Sequence, residues 1–284
     1  MLVALLFVAT LVCVDAMGQQ SYPPYTLVTR VTQYDANGET VRVTTHTRYQ
    51  SSTGDWRVVS KSDGSEQASL YRRGRGVYQS DSRTSRIIRS TEHAPGCPIR
   101  TSEQLRQDRK FARTEDVFGF TAYVWIESPA KDLVIEHYYV PELGGGTPFK
   151  QVTTYKNGPK FVSEPVSVNL GEPAVTDVAG PDYLVVDQAP IFVKNINEHL
   201  SSKPDPDYPT EALVHGWSGV VRVMVTVDET GAVISAGVLD GFAPQSLRDA
   251  AAEAAYRASF KPVVANDQIV VAKGILDYRF ALPK

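Results

Sequence analysis

From Val221 to Asp228 the chain alternates without a break. Val221, Val223, Val225 and Val227 fall on one parity, and Arg222, Met224, Thr226 and Asp228 on the other. A period of two puts all four valines on one face of a pleated strand, whereas a helix would scatter them around its circumference. The segment is therefore predicted as a half-buried strand. Asp228-Glu229-Thr230-Gly231 has the composition of a hairpin turn, and Val233 to Leu239 returns as the partner strand. The period then changes. Leu247, Ala250, Ala251, Ala254 and Ala258 recur at helical spacing behind Pro244, which suits a first turn because the N–H it lacks would be unsatisfied there anyway. Arg248, Asp249, Glu253 and Arg257 fall on the other face, with Glu253 and Arg257 at the spacing of a favourable i,i+4 pair. Phe260-Lys261-Pro262 ends the helix. Val270, Ala272, Leu276, Tyr278 and Phe280 then line one face of a last strand. A three-stranded sheet with one helix leaves edges open, and an edge strand is a template for a peptide or for a second copy of the chain.

Upstream, residues 25–90 read as an antiparallel meander. Leu27 to Thr32 leads into the turn Asp35-Ala36-Asn37-Gly38, then Val41 to Tyr49, the turn Thr53-Gly54-Asp55, Trp56 to Ser60 and the turn Ser62-Asp63-Gly64. Val77-Tyr78 and Ile87-Ile88 mark further strands. Pro98 to Arg106 is polar and predicts a short helix capped by Thr101 or Ser102. Strands resume at Phe120–Glu127, Leu133–Val140, Lys150–Tyr155 and Phe161–Val168. The expected organisation is a β-rich antiparallel domain at 21–175, either a curved sheet or a half-barrel. A connector at 176–203 is punctuated by Pro181 and Pro190, and a β-β-α-β domain follows at 204–284. The class is α+β. Within the connector, Ile191 to Glu198 reads as a brief strand or helix.

The first residues read as an address. Leu2 to Val14 is an apolar run of 13 residues, against the roughly 20 a spanning helix needs. Small residues follow at Val14-Asp15-Ala16 and Ala16-Met17-Gly18, so residues 1–18 are expected to be a signal peptide that exports the chain.

Few chemistries fit the remaining residues. Cys13 falls within the signal and Cys97 stands alone, so neither an internal disulfide nor a thiolate cage is expected. His46, His93, His137, His199 and His215 form no i,i+4 pair and no cluster with acids. No Ser-centred elbow or Cys–His pattern supplies a nucleophile. Gly144-Gly145-Gly146 has no following helix or Lys-Ser/Thr, so it reads as a loop and not a phosphate cradle. No cofactor, no metal and no catalysis are expected. Net charge is −3 over 284 residues, which excludes general polyanion binding. The charge is uneven, however: residues 72–113 hold eleven Lys or Arg against four acids. Solvated strand faces account for this. The sharper alternative is a surface for anionic lipid or cell-wall polymer formed by Arg72, Arg73, Arg75, Arg106, Arg109 and Lys110. Nucleic acid is not an expected partner of an exported chain.

Two stretches resemble known families. Asp207-Tyr208-Pro209-Thr210-Glu211-Ala212, Gly219-Val220-Val221-Arg222-Val223, Val227 to Val233, Phe260-Lys261-Pro262 and Tyr278-Arg279-Phe280 resemble the TonB C-terminal family in order and spacing. The resemblance implies a periplasmic domain that takes up a short extended segment, the TonB box of outer-membrane transporters, as a strand beside its own last strand. Carried over, the partner-binding residues are Pro206, Tyr208 and Pro209 with Ile269, Val270, Val271, Ala272, Lys273, Gly274, Ile275, Leu276, Asp277, Tyr278, Arg279 and Phe280. It implies an outer-membrane transporter segment or another envelope protein as partner. Transducers of that family also carry a membrane helix and a long proline-rich spacer. Here the apolar run is short and a β-rich domain stands where the spacer would be, so partner docking is the stronger expectation than energy transduction. Tyr138 to Gly144, Pro148-Phe149-Lys150 and Val168 to Pro173 are similar to a layout in exported bacterial half-barrel proteins, the shape of lipoprotein-carrier domains. The alternative function is therefore a periplasmic carrier or scaffold, with the TonB-like module serving docking or dimerisation.

Overall fold

The computed structural model describes residues 21–62, 65–73, 75–91, 99–239 and 243–282. The expected signal peptide, Cys13, Cys97 and the turn at Asp63-Gly64 lie outside them. Strands in chain order are β1 (Tyr25–Tyr34), β2 (Thr40–Gln50), β3 (Trp56–Ser62), β4 (Ser65–Arg72), β5 (Gly76–Asp81), β6 (Arg86–Thr91), β7 (Phe111–Val117), β8 (Phe120–Ala130), β9 (Leu133–Tyr139), β10 (Lys150–Tyr155) and β11 (Lys160–Leu170). Then come β12 (Leu184–Val186), β13 (Ile191–Phe192), β14 (Leu200–Ser202), β15 (Gly219–Val227), β16 (Val233–Val238), β17 (Ser259–Phe260), β18 (Val264–Ala265), β19 (Gln268–Ile269) and β20 (Ala272–Phe280). The α-helices are α1 (Ser102–Gln107), α2 (Val175–Ala179), α3 (Thr210–Val214) and α4 (Gln245–Tyr256). The fold is α+β and strand-rich. The described residues divide into two compact units. One holds the residues up to Ser80 and Thr91–Tyr183; the other holds Asp81–Ser90 and the residues from Leu184 onward.

The first unit is two meanders joined through their outermost members. Its strands lie in the order β5-β4-β3-β2-β1-β11-β10-β9-β8-β7. β1 runs antiparallel to β11 from Tyr25↔Leu170 to Tyr34↔Lys160, so chain that is far apart in sequence closes the middle of the sheet. The first turn forms as its composition predicts. Asp35 Oδ1 accepts from the backbone N–H groups of Asn37 and Glu39, both at 2.9 Å. Tyr25, Leu27, Ala122, Val124, Tyr138, Leu143 and Phe149 form the main core on one side. On the other side, Tyr123, Trp125 and Tyr139 are covered by Leu105 of α1. This short helix is held by a full capping box. Thr101 Oγ1 accepts from Gln104 N at 3.3 Å, and Gln104 Oε1 accepts from Thr101 N at 2.8 Å. Trp125 Nε1 donates to the carbonyl of Leu105 at 2.9 Å.

The second unit contains the alternating valines. Val223, Val225 and Val227 are fully buried and Val221 nearly so, and they share one core with the residues of α4. Arg222 is exposed and Met224 and Thr226 are half-buried. α4 brings Leu247, Ala251, Ala254 and Ala255 down onto the sheet. Three alanines on that face let the helix axis lie close to the strands. The hairpin between β15 and β16 turns at Gly231 (φ 88), where a Cβ would meet the Phe260 carbonyl oxygen at 1.9 Å. Only glycine fits, because the Phe260 N–H also bonds the Gly231 carbonyl at 2.9 Å. A second cluster in this unit joins Ile234 and Val271 to Ile88 of β6, against which Val186 of β12 lies. Thr84 donates to the Ile234 carbonyl at 2.7 Å.

Two expectations need correction. The sheet has four strands and not three, in the order β13-β20-β15-β16, because Ile191-Phe192 from the connector joins it. Glu253 and Arg257 do not pair with each other. Glu253 bonds Arg83, and Arg257 reaches Asp207 at 3.4 Å. Partners brought in by the fold displace a pair that sequence spacing alone offers, since an exposed i,i+4 pair is worth only about 0.3–0.5 kcal/mol.

Candidate docking edge

The site is built on β20. Its even positions, Ala272, Gly274, Leu276, Tyr278 and Phe280, are buried, while Lys273 and Ile275 are half-buried and Asp277 and Arg279 exposed. On one side β20 pairs antiparallel with β15 along its whole length, from Gly219↔Phe280 to Val227↔Ala272. On the other side β13 runs parallel to it, at Ala272 and Lys273 only. Ile191 N donates to Val271 O at 2.9 Å and Val193 N to Lys273 O at 2.8 Å. These bonds fix which residues turn their main-chain groups away from β15. They are 271 and 273 and, by the alternation of a strand, 275, 277 and 279. Beyond Lys273, among the described residues, no strand pairs with that side.

One group on this edge is already taken. Lys203 Nζ donates to the Asp277 carbonyl at 2.6 Å and lies 4.9 Å from the centroid of the Tyr278 ring. Among the described residues, the N–H groups of Ile275, Asp277 and Arg279 and the carbonyls of Ile275 and Arg279 remain to pair with a strand. Behind them, Tyr278 is buried and burial pushes its phenol up to about 12, against the opposing pull of Arg257. Its hydroxyl makes no hydrogen bond among the described residues.

The structure narrows the stretch expected from the sequence. Ile269 lies in β19 and pairs with Val264 in a small hairpin, with Asn266 and Asp267 at positive φ in its turn. Val270 is buried and donates from its N–H to the Val263 carbonyl at 3.0 Å. The main chain of Val271 and Lys273 is engaged by the connector. The part of the expected edge left open is Ile275–Arg279. Tyr208 is half-buried; its hydroxyl donates to the Trp217 carbonyl and its ring meets Phe280 edge-on at 5.6 Å. It therefore positions the far end of β20. Pro209 precedes the first turn of α3, and Pro206 lies two residues ahead of Tyr208 in the same approach. Lys203 was not readable from sequence as part of the site, since nothing in its surroundings signals a carbonyl 74 residues away.

This arrangement is backbone chemistry on a sheet edge. Residues 204–282 match the Gram-negative bacterial TonB protein C-terminal family. The matched residues comprise α3, β15, β16, α4, β17, β18, β19 and β20, with β13 and Lys203 supplied by the chain just before them. No curated protein matches the chain. Among solved structures, an uncharacterized conserved protein from Thermus thermophilus aligns at 12% identity and a TM-score of 0.38, over 58% of this chain and 90% of that one. MucB in complex with MucA(peri) aligns at 20% identity and a TM-score of 0.36, over 58% of this chain and 57% of its own. A putative outer membrane lipoprotein-sorting protein domain from Vibrio parahaemolyticus aligns at 7% identity and a TM-score of 0.27, over 55% and 88% of the two chains.

The expected basic surface is divided. Arg72, Arg73 and Arg75 lie at the β4–β5 turn, while Arg106, Arg109 and Lys110 lie on and after α1, ahead of β7. β5 and β7 are the two ends of the strand order in their unit. Several of these side chains have partners nearby. Lys110 pairs with Glu127 at 2.7 Å, Arg73 donates to the Thr53 carbonyl at 3.1 Å, and Arg106 lies 5.7 Å from the Tyr123 ring centroid. Among the described residues, no group of three or more His, Cys, Asp or Glu is gathered as a metal site would require, and no helix is long and apolar enough to cross a membrane.

Proposed function

We propose that this protein is an exported component of a bacterial cell envelope. Its TonB-like domain docks an extended segment of a partner by strand addition, without chemistry of its own. The observation that carries this is the outer edge of β20 at Ile275–Arg279. There, main-chain donors and acceptors point away from β15 and meet no strand among the described residues. An incoming segment would add hydrogen bonds worth about 0.5–1.5 kcal/mol each, so affinity depends on several in register. Exposed Asp277 and Arg279 give that edge one charge of each sign, which favours a partner with complementary charges two residues apart. The partner class is an outer-membrane transporter segment of TonB-box type, and the location that goes with it is the periplasm. An open edge supports docking; it does not by itself support energy coupling.

The place where a peptide lands tests the edge. Titrating a TonB-box peptide into 15N-labelled protein should shift the amide resonances of Ile275, Asp277 and Arg279 before those of β16. Shifts confined to β16, or to the first unit, would overturn the assignment.

A further inference from the structure

Strand register in the first unit gathers an unusual row. Tyr25 of β1 stands opposite Gln50 of β2, and Gln50 opposite Trp56 of β3. One step along the same face, Leu27 stands opposite Arg48, and Arg48 opposite Val58. All six are buried. An arginine is therefore planted in a face that is otherwise mostly aromatic and aliphatic. Arg48 is 8% exposed. Its guanidinium stacks over Trp56, 4.8 Å from the ring centroid, and Nη2 donates to Gln50 Oε1 at 2.9 Å. Among the described residues its Nε has no hydrogen-bond partner, and no carboxylate forms an ion pair with it. The acids on either side of the β2–β3 turn are committed elsewhere. Asp55 Oδ1 accepts from Arg73 N at 2.6 Å, and Glu172 accepts from Ser52 N at 3.1 Å and 3.2 Å through its two oxygens.

A buried charge without a counter-charge is a standing cost to the fold, and it is retained most readily where something else supplies the opposite charge. Arg48 lines a cleft that Tyr22, Tyr25, Gln50, Trp56 and Leu143 also line, with about 30 Å³ of internal volume. Sites for drug-sized ligands run to roughly 300–1,000 Å³. This one has room for a single small group, of the size of a carboxylate, and the planar guanidinium is the side chain best matched to that group.

We propose that the cleft at Arg48 receives one carboxylate, carried either by a free organic acid or by the acidic side chain of a bound peptide. The site is independent of the β20 edge and does not rest on the docking reading. The guanidinium supplies the charge, Trp56 stacks against it, and Gln50 holds its plane.

The test is a titration of the full 15N-labelled chain, following the Arg48 Nε–H and Trp56 Nε1–H resonances. The probes are sodium acetate and, separately, N-acetylaspartate amide, each against sodium chloride at matched ionic strength. Tighter saturable binding of acetate than of the aspartate amide assigns a free acid; tighter binding of the aspartate amide assigns a peptide side chain. Arg48→Met should lose at least about tenfold in affinity, and Arg48→Lys should keep a weakened response because it retains charge without the fork. The wild-type titration stands alone should Arg48→Met fail to fold. Equal response to chloride, or no saturable shift with either carboxylate, overturns the proposal.

Discussion

Ile196 lies against Gly274 so closely that a Cβ placed on residue 274 would meet the Ile196 Cβ at 2.5 Å. Ile196 is fully buried in the core of the second unit. The connector is thus locked onto β20 by a side chain seated where β20 has none, just after the last connector bond at Val193. Gly274→Ala should push Ile196 out and cost about 1–3 kcal/mol, the usual penalty for overpacking. Hydrogen exchange at Ile191 and Val193 should speed up in this variant more than exchange along β16. Equal protection in the variant and the wild type would show that the notch does not hold β13.

The alternating valines make a sharper pair. Val223 is fully buried and Val220 is 46% exposed on the same strand. Val223→Ala should cost about 2 kcal/mol, since it removes two methyl groups from a packed core. Val220→Ala should stay within about 0.5 kcal/mol. Denaturant midpoints with unchanged slope would read out both values.

Alkali should find the buried tyrosines. Burial pushes the phenols of Tyr278 and Tyr139 up to about 12, from an ordinary value of 10.0. Below about pH 10 both folded and unfolded chains keep these protons, so stability does not respond. Between about 10 and 12 the unfolded chain loses them first and binds fewer protons, so stability falls, by up to about 1.4 kcal/mol per pH unit for each group. Above about 12 that fall levels off. Tyr278→Phe removes a buried hydroxyl that has no partner among the described residues. It should leave stability at neutral pH unchanged or higher, and reduce the alkaline slope. A steeper slope in the variant, by equilibrium unfolding from about pH 9 to 12, would contradict this.

The legible parts of the fold share one property: their signals are local and repeated. Val221 to Val227 alternate over a whole strand, and the alanines of α4 recur along its length, so burial on one face follows from spacing. Thr101 and Gln104 form a capping box within a single turn. What escaped depends on neighbours far away in sequence. β13 is two residues long and sets Ile191 opposite Ala272, far down the chain, which no periodicity can announce. The edge carried over from the TonB resemblance began at Ile269. The turn at Asn266-Asp267 instead folds Ile269 back onto Val264. The Glu253–Arg257 pair failed for the same reason, since Arg83 and Asp207 arrive from elsewhere in the chain. Arg48 is visible as unusual only when the register sets it between Leu27 and Val58.

The outward N–H of Asp277 is the central donor of the docking edge. Proline is tolerated at an edge position whose N–H faces away from the partner strand, so Asp277→Pro should keep β15 pairing and remove that one donor. Calorimetric titration of a TonB-box peptide into the wild type and into this variant, both checked for cooperative melting, measures strand addition directly. The wild type should bind, and the variant should fold but bind at least about tenfold more weakly, the equivalent of roughly one main-chain hydrogen bond. A folded wild type that does not bind the peptide, or a folded variant that binds as tightly as the wild type, would contradict strand addition at β20.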